Sequence, residues 1–249
     1  MTVDVGRNSH SAVREALLAL PTYLNDEIVA NEALLSAIHR ELVAGRLVTI
    51  RRAFKEAFAD RMSACLDAFP GWRLYEDYSQ EHFHYRHHNI YDEATAPADL
   101  NLCRDIFSSK GTANFVREIS GRDCSGRASL SASWYMPGDY SLPHSDRVGV
   151  GTAECRQVAF VWHLTRDWRP EWGGELYWCP AGHYLTPSYN TLNLFNVSRN
   201  SMHFVTPVSP MSRAKRLAIN GWWTGVDVPH EPPAPPPACT HLTPLVDAI

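Results

Sequence analysis

Apolar residues recur at helical spacing in the first half of this chain and in short β-type runs in the second. Ile28, Leu34, Leu35, Ile38 and Leu42 fall near a 3.6-residue spacing, Asn25 or Asp26 can cap the run, and Gly45 stops it. Lys55 to Phe69 predicts a second amphipathic helix closed by Pro70-Gly71, and Asp99 to Ile119 supplies one or two more before Gly121. Leu47-Val48-Thr49-Ile50 reads as a strand between them. From Ala128 the runs shorten and are separated by Gly, Pro and Asn. The predicted strands are Ala128 to Met136, Gln157 to Leu164, Glu175 to Trp178, Thr191 to Val197, His203 to Val208 and Arg216 to Trp223. Helices first and strands after predict an α+β fold: a double-stranded β-helix, a jelly-roll or cupin-like barrel, flanked by N-terminal helices.

The expected organisation is an arm over 1–24, a domain over 25–225 and a Pro-rich tail over 226–249. Within the domain, helical support occupies 25–127 and the β-barrel core 128–225. The tail carries Pro229, Pro232, Pro233, Pro235, Pro236 and Pro237, a composition that predicts a solvated, polyproline-like segment. At 249 residues and 45% hydrophobic, the chain is long enough for one sizeable core. A net charge of -4 leaves no nucleic-acid footprint. Ala16 to Leu20 is too short for a signal or membrane segment, which predicts a cytoplasmic protein with no membrane partner; a homodimer is left open. The six cysteines are widely spaced, with no Cys-x-x-Cys, and are expected to be free thiols.

Candidate chemistry concentrates in His144-Ser145-Asp146 and His203. Two imidazoles and one carboxylate can hold Fe(II) on one face of an octahedron and leave three positions open. The run Ser129 to Met136, the Pro137-Gly138 turn and a second extended piece would put His144 and Asp146 on the same side of a strand. Arg216 opens the last apolar strand, where a guanidinium can pair with a carboxylate deep in a barrel. The tract Glu81 to His88 alternates Phe83 and Tyr85 with His82, His84 and Arg86, which suits an extended segment near the substrate better than a helical metal site at His84 and His88. The indoles of the barrel half are mostly packing, with Trp222 and Trp223 the pair set aside for substrate contact.

The order Tyr135, His144/Asp146, Gly173-Gly174-Glu175-Leu176, His203 and Arg216-Leu217-Ala218-Ile219 resembles the Fe(II)/2-oxoglutarate-dependent dioxygenases, in their prolyl-4-hydroxylase-like branch. The likeness runs from about Ala128 to Trp223. It implies a metal triad of His144, Asp146 and His203, with Fe(II), 2-oxoglutarate and O₂ as cofactors and ascorbate as a stimulant. Arg216 and Tyr135 are then the cosubstrate contacts. The interval between His203 and Arg216 is longer than the family's usual one, so Arg213 and Lys215 are rival anchors. Asp146 stands where the related radical halogenases have a small residue, which favours hydroxylation.

Phe83 to Tyr91 and the Pro137 to His144 stretch are also similar to bacterial basic-amino-acid hydroxylases. That likeness favours a small-molecule substrate, a free amino acid such as lysine or ornithine, bound by Arg86, His84, Asp139 and Asp92. A protein prolyl hydroxylase is the alternative, and a non-catalytic iron or 2-oxoglutarate sensor a lesser one.

Overall fold

The computed structural model describes residues 18–80, 83–147, 154–226 and 231. Residues 1–17 of the expected arm and most of the Pro-rich tail lie outside the described residues. The strands are β1 (Val48–Ile50), β2 (Arg73–Gln80), β3 (Phe83–Ile90), β4 (Ser129–Tyr135), β5 (Tyr140–His144), β6 (Cys155–His163), β7 (Leu176–Trp178), β8 (His183–Leu185), β9 (Thr191–Asn196), β10 (His203–Val205) and β11 (Arg216–Gly225). The helices are α1 (Asp26–Val29), α2 (Glu32–Val43), α3 (Glu56–Ala68), α4 (Ala98–Ser108) and α5 (Lys110–Ser120).

All strand pairings are antiparallel, and the sheet runs β1-β9-β6-β11-β4-β3-β5-β10-β7-β8, with β2 on the free edge of β3. One edge of β3 is shared end to end: His88 to Ile90 pair with β4, and Tyr85 and Arg86 with β5. Because β4 and β5 are joined by the Pro137-Gly138 turn, this sharing folds the sheet over on itself. The result is a curled double-stranded β-helix, open at one end.

The two faces of the large sheet differ in chemistry, and the strand period of two explains how one run of sequence serves both. Along β11 and β4, Leu217, Ile219, Trp223, Leu130 and Ala132 turn outward into the core formed with the helices, beside Phe160 and Trp162 of β6. Arg216, Asn220, Tyr135, Ser133 and Ser131 lie at the alternate positions, on the concave face. Trp223 shows what the outward face does: its ring stacks 5.5 Å from Phe107, and its N–H donates to the Phe107 carbonyl at 2.9 Å. Trp223 is therefore a core residue, away from substrate. Both faces of the central strands are covered, so β9 is buried at every position and no polar side marks it in the sequence.

Several expectations change. The helix expected from Asn25 to Gly45 breaks at Ala30-Asn31, because Asn31 caps a new start by accepting from the Leu34 N–H at 3.0 Å. Leu20 and Leu24 are buried in the core, so the described end of the arm packs on the domain. The stretch read as helical support also contributes the β2–β3 hairpin, which borders the site. No helix among the described residues is long and apolar enough to cross a membrane, and the five described cysteines are free.

Candidate active site

Asp146 does not share a strand with His144. The strand ends at His144, and Asp146 sits in the following turn at φ +61°, a left-handed conformation that aspartate tolerates better than most residues. That turn is pinned by the Ser201 hydroxyl, which donates to the Ser145 carbonyl at 2.9 Å, and by Arg156, which donates to the Asp146 carbonyl at 3.3 Å. His203 enters from β10, paired directly with His144 across the ladder.

Asp146 Oδ1 lies 3.5 Å from His144 Nε2, and Oδ2 lies 3.6 Å from His203 Nε2. Among the described residues, this group brings its three ligand atoms within 4.8 Å of one another. Each imidazole is oriented by its own backbone: His144 Nδ1–H donates to the Leu142 carbonyl at 2.8 Å, and His203 Nδ1–H to the Ser201 carbonyl at 2.9 Å. A carbonyl only accepts, so both protons sit on Nδ1 and both Nε2 lone pairs face the carboxylate. Burial alone would raise the Asp146 carboxyl, but His203, His144 and Arg156 outweigh it and hold it below its ordinary value. Burial, reinforced by His144, pushes His203 down to about 4. A carboxylate and two imidazoles turned toward it by their Nδ1–H contacts are the donors a divalent metal takes, so the set fits Fe(II).

Arg216 lies behind the triad, 2% exposed, with its guanidinium 4.4 Å over the Tyr135 ring. Its Nε donates to the Gly174 carbonyl at 2.6 Å, and no described carboxylate pairs with it. Burial lowers the guanidinium to about 10, the mark of a cation held without an anion. The Gly173-Gly174 turn makes this possible. Both residues have positive φ (+64° and +65°), a Cβ on Gly173 would meet the Pro207 carbonyl at 2.2 Å, and one on Gly174 would press on Arg216 Cδ at 3.0 Å. The rivals are elsewhere: Lys215 pairs with Asp67 on the outside at 3.1 Å, and Arg213 is exposed.

A cavity of about 620 Å³ joins these parts. Its wall includes Tyr85, His87 and Tyr91 on one side and Arg147, Arg156 and Trp222 on the other. Arg156 lies 3.6 Å over the Trp222 ring, which fixes a cation beside the triad. The residues expected to bind an amino acid are not in this wall. Arg86 and Asp139 face each other at 3.4 Å, and Asp139 also takes His88 Nδ1 at 3.1 Å and the Met136 N–H at 2.9 Å. His84 accepts from the Tyr140 hydroxyl and stacks on Tyr78. Asp92 caps its own turn through the Ala94 N–H at 2.9 Å. The cause is strand parity: Tyr85 and His87 face the cavity, so His84, Arg86 and His88 face away. The alternation in this tract was legible, but the side it favoured was not, and nothing in the sequence marked Arg147 or Arg156.

Two neutral histidines line the barrel interior. His87 stacks on Tyr135 at 4.8 Å, and its Nε2 accepts from Asn89 at 2.6 Å; burial and then the Arg216 charge push it down to about 3. Burial, again with Arg216, holds His163 well below its ordinary value. Both bind a proton in the unfolded chain below pH about 6.5 but not in the folded one. Unfolding therefore takes up protons, and stability rises with pH up to that point and falls as pH drops below it. Each imidazole adds up to ~1.4 kcal/mol per pH unit to that slope. Urea titrations between pH 4.5 and 6.5 should show the slope reduced in His163→Gln; an unchanged slope would mean that His163 charges in the folded state.

Comparison with known proteins places this arrangement. The class defined by the fold and the His-Asp-His site is that of the barrel oxygenases, and residues 130–224 match the 2OG-Fe(II) oxygenase superfamily. Over that segment the chain is similar to the 2OG-Fe(II) oxygenases, and its fold is that of solved prolyl hydroxylases. The chain is 30% identical over 135 residues to prolyl 3-hydroxylase OGFOD1 of Mus musculus, covering 49% of this chain and 24% of that protein. It is 33% identical over 112 residues to prolyl 3-hydroxylase sudestada1 of Drosophila melanogaster, covering 39% and 20%. The chain thus spans about a quarter or less of the curated relatives' length. A Pseudomonas putida prolyl-4-hydroxylase shares the fold with a TM-score of 0.57 at 18% identity, over 77% of this chain and 98% of that one. A Trichoplax adhaerens prolyl hydroxylase, solved with a hypoxia inducible factor peptide fragment, gives 0.58 at 15% identity, over 79% and 92%.

Proposed function

We propose that this chain hydroxylates a prolyl residue within a polypeptide, using Fe(II), 2-oxoglutarate and O₂. The observation that carries this substrate class is the cavity wall: tyrosines and an indole line part of it, while Arg86 and Asp139, the pair that would have read a free amino acid, lie outside it and face each other at 3.4 Å. The free lysine or ornithine reading loses its binding residues, and the named activities of the relatives favour proline.

Bound iron with its cosubstrate supplies the oxidising power that converts a C–H bond to C–OH. The chain does the rest. His144, Asp146 and His203 present three converging donors, preset by the two Nδ1–H contacts. Arg216 draws the distal carboxylate of 2-oxoglutarate into the buried end of the cavity, with Tyr135 closing over the guanidinium. Tyr85 and Tyr91 give a prolyl ring an apolar face that needs no charge partner, and Trp222 under Arg156 forms the facing wall.

The test is 2-oxoglutarate-dependent succinate formation against a pool of proline-containing peptides and, separately, against free lysine, ornithine and proline. Peptide-dependent succinate with one oxygen gained at proline is the expected outcome. Turnover driven by a free amino acid and by no peptide would return the small-molecule reading.

A further inference from the structure

His87 is a neutral imidazole with only one of its two nitrogens paired. Its ring lines the cavity and is 7% exposed. Asn89 fixes the tautomer. The Ile90 N–H donates to Asn89 Oδ1 at 3.1 Å, so the amide nitrogen Nδ2 is the atom that faces His87 Nε2 at 2.6 Å. An amide nitrogen only donates, so Nε2 accepts and the proton sits on Nδ1. Among the described residues that Nδ1–H has no partner. A buried donor left unpaired destabilises a fold and is rare, which marks a place for an acceptor brought by a ligand. His87 stacks on the Tyr135 ring with the two planes 6° apart, and the Arg216 guanidinium lies against the same tyrosine. Burial, then the Arg216 charge, and after it His88 and His144, keep the imidazole uncharged. The ring therefore flanks the space between the carboxylate anchor and the metal triad, where the cosubstrate would lie. 2-Oxoglutarate brings oxygen acceptors along its length, whereas the pyrrolidine ring of a prolyl residue brings none.

We infer that His87 is a second binding residue for 2-oxoglutarate: its Nδ1–H, held in that tautomer by Asn89, donates to an oxygen of the cosubstrate. The inference rests on the 2-oxoglutarate dependence in the function proposed above, and not on the choice of a prolyl substrate. Arg216 supplies the charge that holds the cosubstrate, and His87 adds a directional contact without placing a second cation beside that guanidinium. Two substitutions separate the roles of the ring nitrogens. Glutamine puts an amide oxygen near the Nε2 position and no donor near Nδ1, so His87→Gln keeps an acceptor for Asn89 and loses the unpaired N–H. Asparagine does the reverse, so His87→Asn keeps an N–H near Nδ1 and leaves Asn89 without its acceptor.

Full-length chain is loaded anaerobically with Fe(II), and 2-oxoglutarate binding is measured by isothermal titration calorimetry. Fe(II) affinity and the melting temperature of the ligand-free protein are measured alongside. His87→Gln should weaken 2-oxoglutarate binding roughly tenfold, the loss of a hydrogen bond to a charged acceptor, with Fe(II) affinity unchanged. His87→Asn should keep most of the affinity for 2-oxoglutarate while melting below the parent. That crossing of the two variants is what a purely structural histidine would not produce. Parental 2-oxoglutarate affinity in His87→Gln would overturn the inference and leave the proposed function standing. So would a His87→Gln chain whose affinity falls only for a proline-containing peptide, since the Nδ1–H would then serve the substrate. Equal weakening in both variants, in step with their melting temperatures, would make His87 structural and overturn it as well. A parent chain that binds no 2-oxoglutarate would remove the proposed function and this inference together.

Discussion

His203→Ala and Asp146→Ala each abolish turnover and tight Fe(II) binding, the largest effects expected of any single change here. Removing a group that merely orients a ligand costs about 10–100-fold in affinity or activity, and losing a ligand costs more. The geometry offers no substitute: the ligand atoms lie within 4.8 Å of one another, and no other described residue joins the group. His144→Ala should behave the same way. Anaerobic Fe(II) titration followed by tryptophan fluorescence reads the binding step without turnover, since Trp178 lies 6.2 Å from the His203 ring. A His203→Ala chain that still binds one Fe(II) with parental affinity would remove His203 from the ligand set. Unchanged denaturation curves for the apo forms would show that the loss is local.

The second large effect concerns Arg216. Arg216→Met should raise the Michaelis constant for 2-oxoglutarate roughly ten- to a hundredfold, corresponding to ~1.5–3 kcal/mol for a charged hydrogen-bond partner. Loss of an ordinary structural arginine would also impair the enzyme, so a second measurement separates the roles. Burial has lowered this guanidinium to about 10, and no described carboxylate compensates it, so the cation burdens the ligand-free fold. Without 2-oxoglutarate, Arg216→Met should melt at or above the parental temperature. With saturating 2-oxoglutarate the parent should gain several degrees and the variant none, because only a ligand that binds the folded state shifts its melting. A large fall in the ligand-free melting temperature would instead make Arg216 a structural residue. Arg213→Ala should change neither quantity, since that side chain is exposed.

What the sequence made legible is what depends on short-range pattern. The helices from Glu32, Glu56 and Ala98 follow from apolar spacing and from the stops at Gly45, Pro70-Gly71 and Gly121. The late strands follow from runs of β-forming residues between Gly, Pro and Asn. The triad and Arg216 were also readable, because their order along the chain carries the family resemblance.

Other features needed the third dimension. Asp146 reaches the two imidazoles through a left-handed turn held by Ser201 and Arg156, and both belong to other strands or loops. The β2–β3 hairpin is rich in Glu, His, Arg and Tyr, so its strand character depends on pairing with β4 and β5, to which local sequence is blind. The proposed substrate class turns on a single choice of parity. An alternating strand states that two faces differ, but which face meets the cavity is set by the register of its partners; here it placed Tyr85 and His87 inside and Arg86 outside. Short-range chemistry thus named the candidate metal ligands and the candidate cosubstrate anchor, while long-range pairing chose the walls around them, because contacts between distant strands have no local signature.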